Sequence, residues 1–247
     1  RMVRKLYVPI DDSGYSFAAI DLAVDLAGRL DATLIGSHVH SNGSRGSYLE
    51  LLEECCRTAG VPFQKQTLEG HRHRALVDDL RQHPCDMVVM GALGADATTD
   101  SQIGSIAEAL ARSSPADVLI VKSLLPEEDG GILVALDGSP PSLDALVTAL
   151  SLSRATGRTA SALVVGEGPI AGAASAAVEA ARSTAAEEGF DIEVSVAEGK
   201  PFDRILQACR EKRPWLLALG RTGTDSRDED RLATLGPTTM NLLRLAP

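Results

Sequence analysis

Along the first half of the chain, short unbroken apolar runs alternate with longer stretches whose apolar residues recur at helical spacing. Lys5–Ile10 reads KLYVPI, a compact run closed by the turn residues Asp11, Asp12, Ser13 and Gly14. Phe17, Ile20, Leu22, Ala23 and Leu26 then fall on one face of a helix that runs up to Gly28. The same alternation predicts strands at Thr33–Val39, Phe63–Leu68, Met87–Met90 and Val118–Val121. It predicts helices over Tyr48–Ala59, Ala75–Gln82 and Ile106–Arg112, with a polar, Gly-containing loop at Ser41–Ser47. Strands that are apolar throughout are buried on both faces. The expected fold class is therefore α/β, a doubly wound parallel sheet with right-handed crossovers.

The pattern then begins again. Val8-Pro-Ile-Asp-Asp-Ser13 recurs as Val134-Ala-Leu-Asp-Gly-Ser139, and Glu69-Gly70 as Glu198-Gly199. Met87-Val-Val-Met-Gly-Ala-Leu-Gly94 recurs as Leu216-Leu-Ala-Leu-Gly-Arg-Thr-Gly223, and Ile103-Gly-Ser as Leu235-Gly-Pro. A repeat of this length implies two tandem domains, expected at 2–125 and 130–247, with the charged stretch Pro126–Gly131 as linker. Pro247 aligns with Pro115, so the second domain is expected to lack its last strand. Arg1 rather than Met in first place leaves two readings open, a segment of a longer polypeptide or a remnant of cloning at the start.

Composition narrows the picture further. Aromatic residues are only 3%, so the core must rest on Val, Leu, Ile and Ala. A net charge of −10 argues against nucleic acid or an anionic membrane as partner. The four cysteines form no C-x-x-C pair and are too few for a disulfide framework, which points to a reducing cytoplasmic setting. No apolar run is long enough to span a bilayer.

Candidate chemistry lies in the loops after the strands. Gly91-x-x-Gly94 follows an apolar strand, and after nine residues come Gly104-Ser105 at the start of an amphipathic helix. Glycines let backbone N–H groups approach phosphate oxygens closely, and a helix N-terminus adds N–H donors and the positive end of its dipole. On spacing alone this is either a phosphate cradle or a pair of turn glycines. The arrangement G-x2-G-x9-G-S after V-V-M, with V-P-I-D-x-S earlier, resembles the universal stress protein family, twice over and across essentially the whole chain. That resemblance implies two domains of the adenine nucleotide alpha-hydrolase-like fold with strand order 3-2-1-4-5. It also implies ATP as ligand, with Mg²⁺ as an accompanying ion. The implied contacts are Pro9, Ile10, Asp11, Val39, Met90, Gly91, Gly94, Gly104, Ser105 and Ile106. These fall at the carboxyl ends of the first, second and fourth strands or just beyond, where ligands of such sheets bind. For Asp11 a helix N-cap is the competing role.

The second domain departs from the motif. Twelve residues separate Gly223 from Gly236, and Pro237 replaces the serine, removing a hydroxyl and an N–H. The inserted 224–230 segment carries Asp225, Asp228, Glu229 and Asp230, which would repel a triphosphate. This copy is expected to be degenerate.

All five histidines lie in the first domain. His38 and His40 end the second strand, and His71 and His73 follow the third, its expected neighbour. Such pairs could assemble a zinc or other transition-metal site. His83 reads instead as a helix C-terminal residue. No P-loop, H-E-x-x-H or G-x-S-x-G pattern is present, so an enzyme is not expected beyond slow ATP hydrolysis. Three readings remain open: an ATP-binding regulatory stress-response protein, a metal-binding module, or a non-binding interaction module of a larger protein. The two copies are expected to pack as an intramolecular pseudo-dimer, with a homodimer also open.

Overall fold

The computed structural model describes residues 2–11, 13–40, 47–94, 103–124, 129–166, 173–223 and 235–246. The chain forms two compact units, one over Val3–Leu125 and one built on Pro126–Pro247.

In the first unit the elements are β1 (Lys5–Ile10), α1 (Gly14–Leu30), β2 (Thr33–His40), α2 (Ser47–Ala59) and β3 (Phe63–Glu69). They continue as α3 (Arg72–Gln82), β4 (Met87–Gly91), α4 (Ser105–Ser113) and β5 (Asp117–Val121). All strands are parallel, in the order β3-β2-β1-β4-β5. The central strands are the most apolar: Leu6, Tyr7, Val8, Val88 and Val89 have no exposed surface. At the edge, β3 is half-buried to exposed along its length, with one neighbouring strand and partial cover from α2 and α3. The face toward α3 and α4 carries a core of Tyr7, Ile35, Val39, Leu76, Leu80, Val88 and Leu110. On the other face α1 packs against β1 and β4, and α2 against β2. There Gly36 leaves room for Leu52, Phe63 and Leu49, each within 3.0 Å of where a Cβ would stand.

Local signals set the helix ends. Ser13 caps α1 by accepting from the Ser16 N–H at 3.1 Å, and Asp31 ends the helix in the left-handed region at φ 51°. The second unit uses Gly157 (φ 73°) at the matching place, where no Cβ opposes that conformation. The start of β1 is fixed by Asp86, whose Oδ2 accepts from the N–H groups of Arg4 (2.8 Å) and Lys5 (2.9 Å).

The second unit repeats the plan with β6 (Ile132–Leu136), α5 (Pro140–Thr156), β7 (Ala160–Gly166), α6 (Ala173–Glu187) and β8 (Glu193–Glu198). These lead to α7 (Pro201–Lys212), β9 (Leu216–Leu219) and α8 (Pro237–Leu245). Its sheet has four parallel strands among the described residues, ordered β8-β7-β6-β9. The strand equivalent to β5 is the one it lacks. Pro201 and Pro237 open α7 and α8 at a position that needs no N–H bond.

Candidate functional site

The carboxyl ends of β1, β2 and β4 meet the start of α4 around one cleft of about 310 Å³. Pro9, Ile10, Asp11, Val39, Met90, Gly91, Gly94, Gly104, Ser105 and Ile106 all line it. β1 and β4 are adjacent while their following helices go to opposite faces, so the cleft opens at the topological switch point of the sheet.

Three glycines define its shape by close approach. A Cβ on Gly91 would stand 2.6 Å from the Tyr15 Cβ, so the first turn of α1 can lie this close to the end of β4 only because residue 91 is glycine. A Cβ on Gly94 would meet Asp11 Oδ2 at 2.6 Å. A Cβ on Gly104 would stand 3.2 Å from the Ala92 carbonyl oxygen, to which the Gly104 N–H already donates at 2.7 Å. Gly104 is also the N-cap of α4 and has no side chain to cover the first-turn N–H groups, and Ser105 is exposed beside them. The result is a concave set of backbone donors at the positive end of a helix, a geometry suited to an anion.

Asp11 is positioned rather than mobile. Its Oδ1 accepts from the Ser13 N–H at 3.0 Å and from the Ser16 hydroxyl at 2.7 Å, while the Asp11 N–H donates to Ser16 Oγ at 3.1 Å. The helix cap is Ser13, not Asp11, which leaves Asp11 Oδ2 turned toward Gly94. Ser13 in turn donates to the Leu93 carbonyl at 3.2 Å and ties α1 to the glycine loop. Ser16, His38, Arg72 and Leu76 also line the cleft, outside the glycine pattern.

The four histidines do not gather as a metal site. Among the described residues, no group of three or more His, Cys, Asp or Glu side chains is placed to hold a metal ion. The physical reason lies in the start of α3, which begins at Arg72 rather than at Ala75. His73 is thereby carried on the helix, where its Nε2 is buried without a hydrogen-bond partner, and His71 becomes the exposed N-cap. His38 is 3% exposed with Nδ1 3.0 Å from the Ile10 carbonyl oxygen. That carbonyl can only accept, so Nδ1 carries the proton. The His38 and His40 rings share a face, edge to face at 5.6 Å. His83 caps the C-terminus of α3 and bonds Asp79, away from the cleft.

The second domain keeps the frame without the same lining. A Cβ on Gly220 would stand 2.8 Å from the Ser142 N, and one on Gly223 would stand 2.7 Å from Asp137 Oδ2. The Gly236 N–H donates to the Arg221 carbonyl at 2.9 Å, as Gly104 does to Ala92. The next residue is Pro237, which offers neither N–H nor hydroxyl. The acidic 224–230 stretch lies outside the described residues.

The family model of the universal stress proteins matches residues 46–122 and 131–247. A universal stress protein of Methanocaldococcus jannaschii is 26% identical over 141 residues, covering 49% of this chain and 83% of that protein. The crystal structure of a universal stress protein from Archaeoglobus fulgidus is 19% identical with a TM-score of 0.73, covering 98% of this chain and 95% of that one. A structure from Pseudomonas aeruginosa bearing the same family name is 20% identical with a TM-score of 0.74, covering 98% and 90%. At these identities the structural likeness is one of fold.

Proposed function

This chain belongs to the universal stress protein family, and from that premise we propose that its first domain binds an adenine nucleotide, ATP with Mg²⁺, in the cleft at the ends of β1, β2 and β4. Nucleotide occupancy then acts as a regulatory signal in a stress response. The observation that carries this reading is the Gly91–Gly94 and Gly104–Ser105 frame, where added Cβ atoms would collide with backbone or with Asp11. Those close contacts set the loop against Asp11 and the first turn of α1, and its backbone N–H groups, next to the uncapped N-terminus of α4, suit phosphate oxygens. Val39, Met90, Ile106 and Leu76 supply apolar walls for a base, and Asp11 is held ready for a ribose hydroxyl or the metal accompanying the phosphates.

The second domain is read as the copy that does not hold a triphosphate, because Pro237 removes two donors at the equivalent of Ser105. The test is nucleotide extraction from the denatured full chain, followed by calorimetry on the nucleotide-free protein with Mg²⁺. One equivalent of ATP per chain is expected. Two equal sites, or no heat of binding at all, would overturn the reading.

A further inference from the structure

We propose that Arg72 covers the base end of the first-domain cleft, laying its guanidinium over the face of the purine; the inference rests on the nucleotide reading above. Arg72 is the first residue of α3 and lines the cleft with Leu76, one turn further on, and with Val39 at the end of β2. Among the described residues lining the cleft it is the only Lys or Arg. A cation facing a nucleotide site ordinarily suggests phosphate, so its location decides the matter.

The sheet order gives that location. The glycine loop follows β4, whereas α3 follows β3, which lies beyond β1 and β2 from β4. Parallel strands are about 4.8 Å apart, so roughly 14 Å separates the end of β3 from the end of β4. Phosphates seated on Gly91–Gly94 and Ser105 send the base toward β2, between Val39 and Leu76. Arg72 stands on the β3 side of the row of strands, with Leu76 and Val39 on the cleft wall. A planar guanidinium stacks on a π-face and loses little hydration in doing so, which an ammonium cannot match.

The repeat offers an internal contrast. The residue matching Arg72 is Pro201, also the first residue of its helix. Ile10 pairs with His38 in the first sheet, and Leu136 with Val164 in the second. The second domain keeps the glycine frame and replaces both polar residues at the base end.

The test is calorimetric titration of the full chain with ATP, AMP and adenosine at low and high salt. The wild type is compared with Arg72→Ala, Arg72→Lys and Arg72→Pro. The proline variant copies the second domain and preserves the helix start. Arg72→Ala and Arg72→Pro are expected to weaken all three ligands alike, by roughly tenfold and with little dependence on salt. Arg72→Lys should recover only part of the loss. A loss that grows from adenosine to ATP and fades with salt would assign Arg72 to the phosphates and overturn the proposal. Unchanged affinity in the variants would also overturn it while leaving the nucleotide reading intact. A wild type that binds none of the three would remove that reading itself.

Discussion

Beneath α3 the first domain buries a hydrogen-bonded tyrosine and aspartate, and at α7 the second domain has a groove open to solvent. The Tyr7 hydroxyl donates to Asp79 Oδ2 at 2.5 Å, and Asp79 Oδ1 lies 2.8 Å from His83 Nδ1. Tyr7 is fully buried and Asp79 is 5% exposed. Burial, and then the hydrogen bond to Asp79, raises the Tyr7 hydroxyl far above its ordinary range, so it remains a donor. In the repeat the matching residues are Leu133, Ala208 and Lys212. All three line an open groove of about 250 Å³, together with Leu163, Ser195 and the exposed Arg204, Gln207 and Glu211. The same layer of one fold thus carries a hydrogen-bonded network in one copy and a solvent-open groove in the other. The network ties α3, and with it Arg72 and Leu76 on the cleft wall, to β1, whereas Leu133 offers α7 no side-chain hydrogen bond. The domain with the Gly104-Ser105 pair is the one whose helix is held by this buried bond.

The largest effect that could break this comparison is on ligand binding. Gly104→Val places side-chain atoms against the Ala92 carbonyl and should weaken ATP by roughly 100-fold or more. Gly236→Val should leave ATP binding unchanged; equal losses by calorimetry would mean that the two frames are equivalent. Next in size, Asp79→Ala strips buried Tyr7 of its acceptor and should cost about 3 kcal/mol of stability. Tyr7→Leu with Asp79→Ala copies the second domain, and the pair should cost less than the sum of the single changes. Additive losses in denaturant unfolding would show that the network is not a unit. Smaller again, Ala208→Leu should cover part of the groove's apolar surface beside Leu133 and Leu163 and stabilise by about 0.5 kcal/mol. The only tryptophan, Trp215, lies in this domain beneath the Arg158 guanidinium at 4.7 Å, so its fluorescence reports the shift. A lower midpoint would mean that the groove does not accept the larger side chain. The smallest effect is chemical. Burial, with a lesser contribution from Cys55, pushes the Cys56 thiol up to about 11. Mass spectrometry after mild alkylation at neutral pH should find label on the half-buried Cys55 and Cys85 before Cys56 or Cys209.

The strands were legible because unbroken apolar runs have few other uses, and the repeat exposed the tandem plan before any contact was known. The ten residues implied by the family resemblance line one cleft because seven of them lie at or just beyond strand ends and Gly104, Ser105 and Ile106 open the helix that follows β4. What stayed hidden has a common cause. The first turn of α3 is Arg72-His73-Arg74, so polar that it reads as loop, and the histidine pairs then looked like metal ligands. Its helical start is set by packing against β2 and β3, which no local spacing reveals. The bond between Tyr7 and Asp79 spans 72 residues, and a lone Asp on an amphipathic helix reads as solvent-facing until the fold turns it inward.

Placing β1 at the middle of its sheet also orders events in time. Its own neighbours are β2, which follows at once, and β4, preceded by Asp86, which takes the N–H groups of Arg4 and Lys5 across 82 and 81 residues of chain. Closing so long a loop costs entropy before any contact offsets it, so this seam is expected to form late. The cleft opens along that same seam. A half-folded first domain then has no such cleft to offer, and under the proposed function a nucleotide seated there would favour the pairing that formed last. Nucleotide concentration would then influence how much of the newly made chain reaches its finished form, as well as the state of chains already folded.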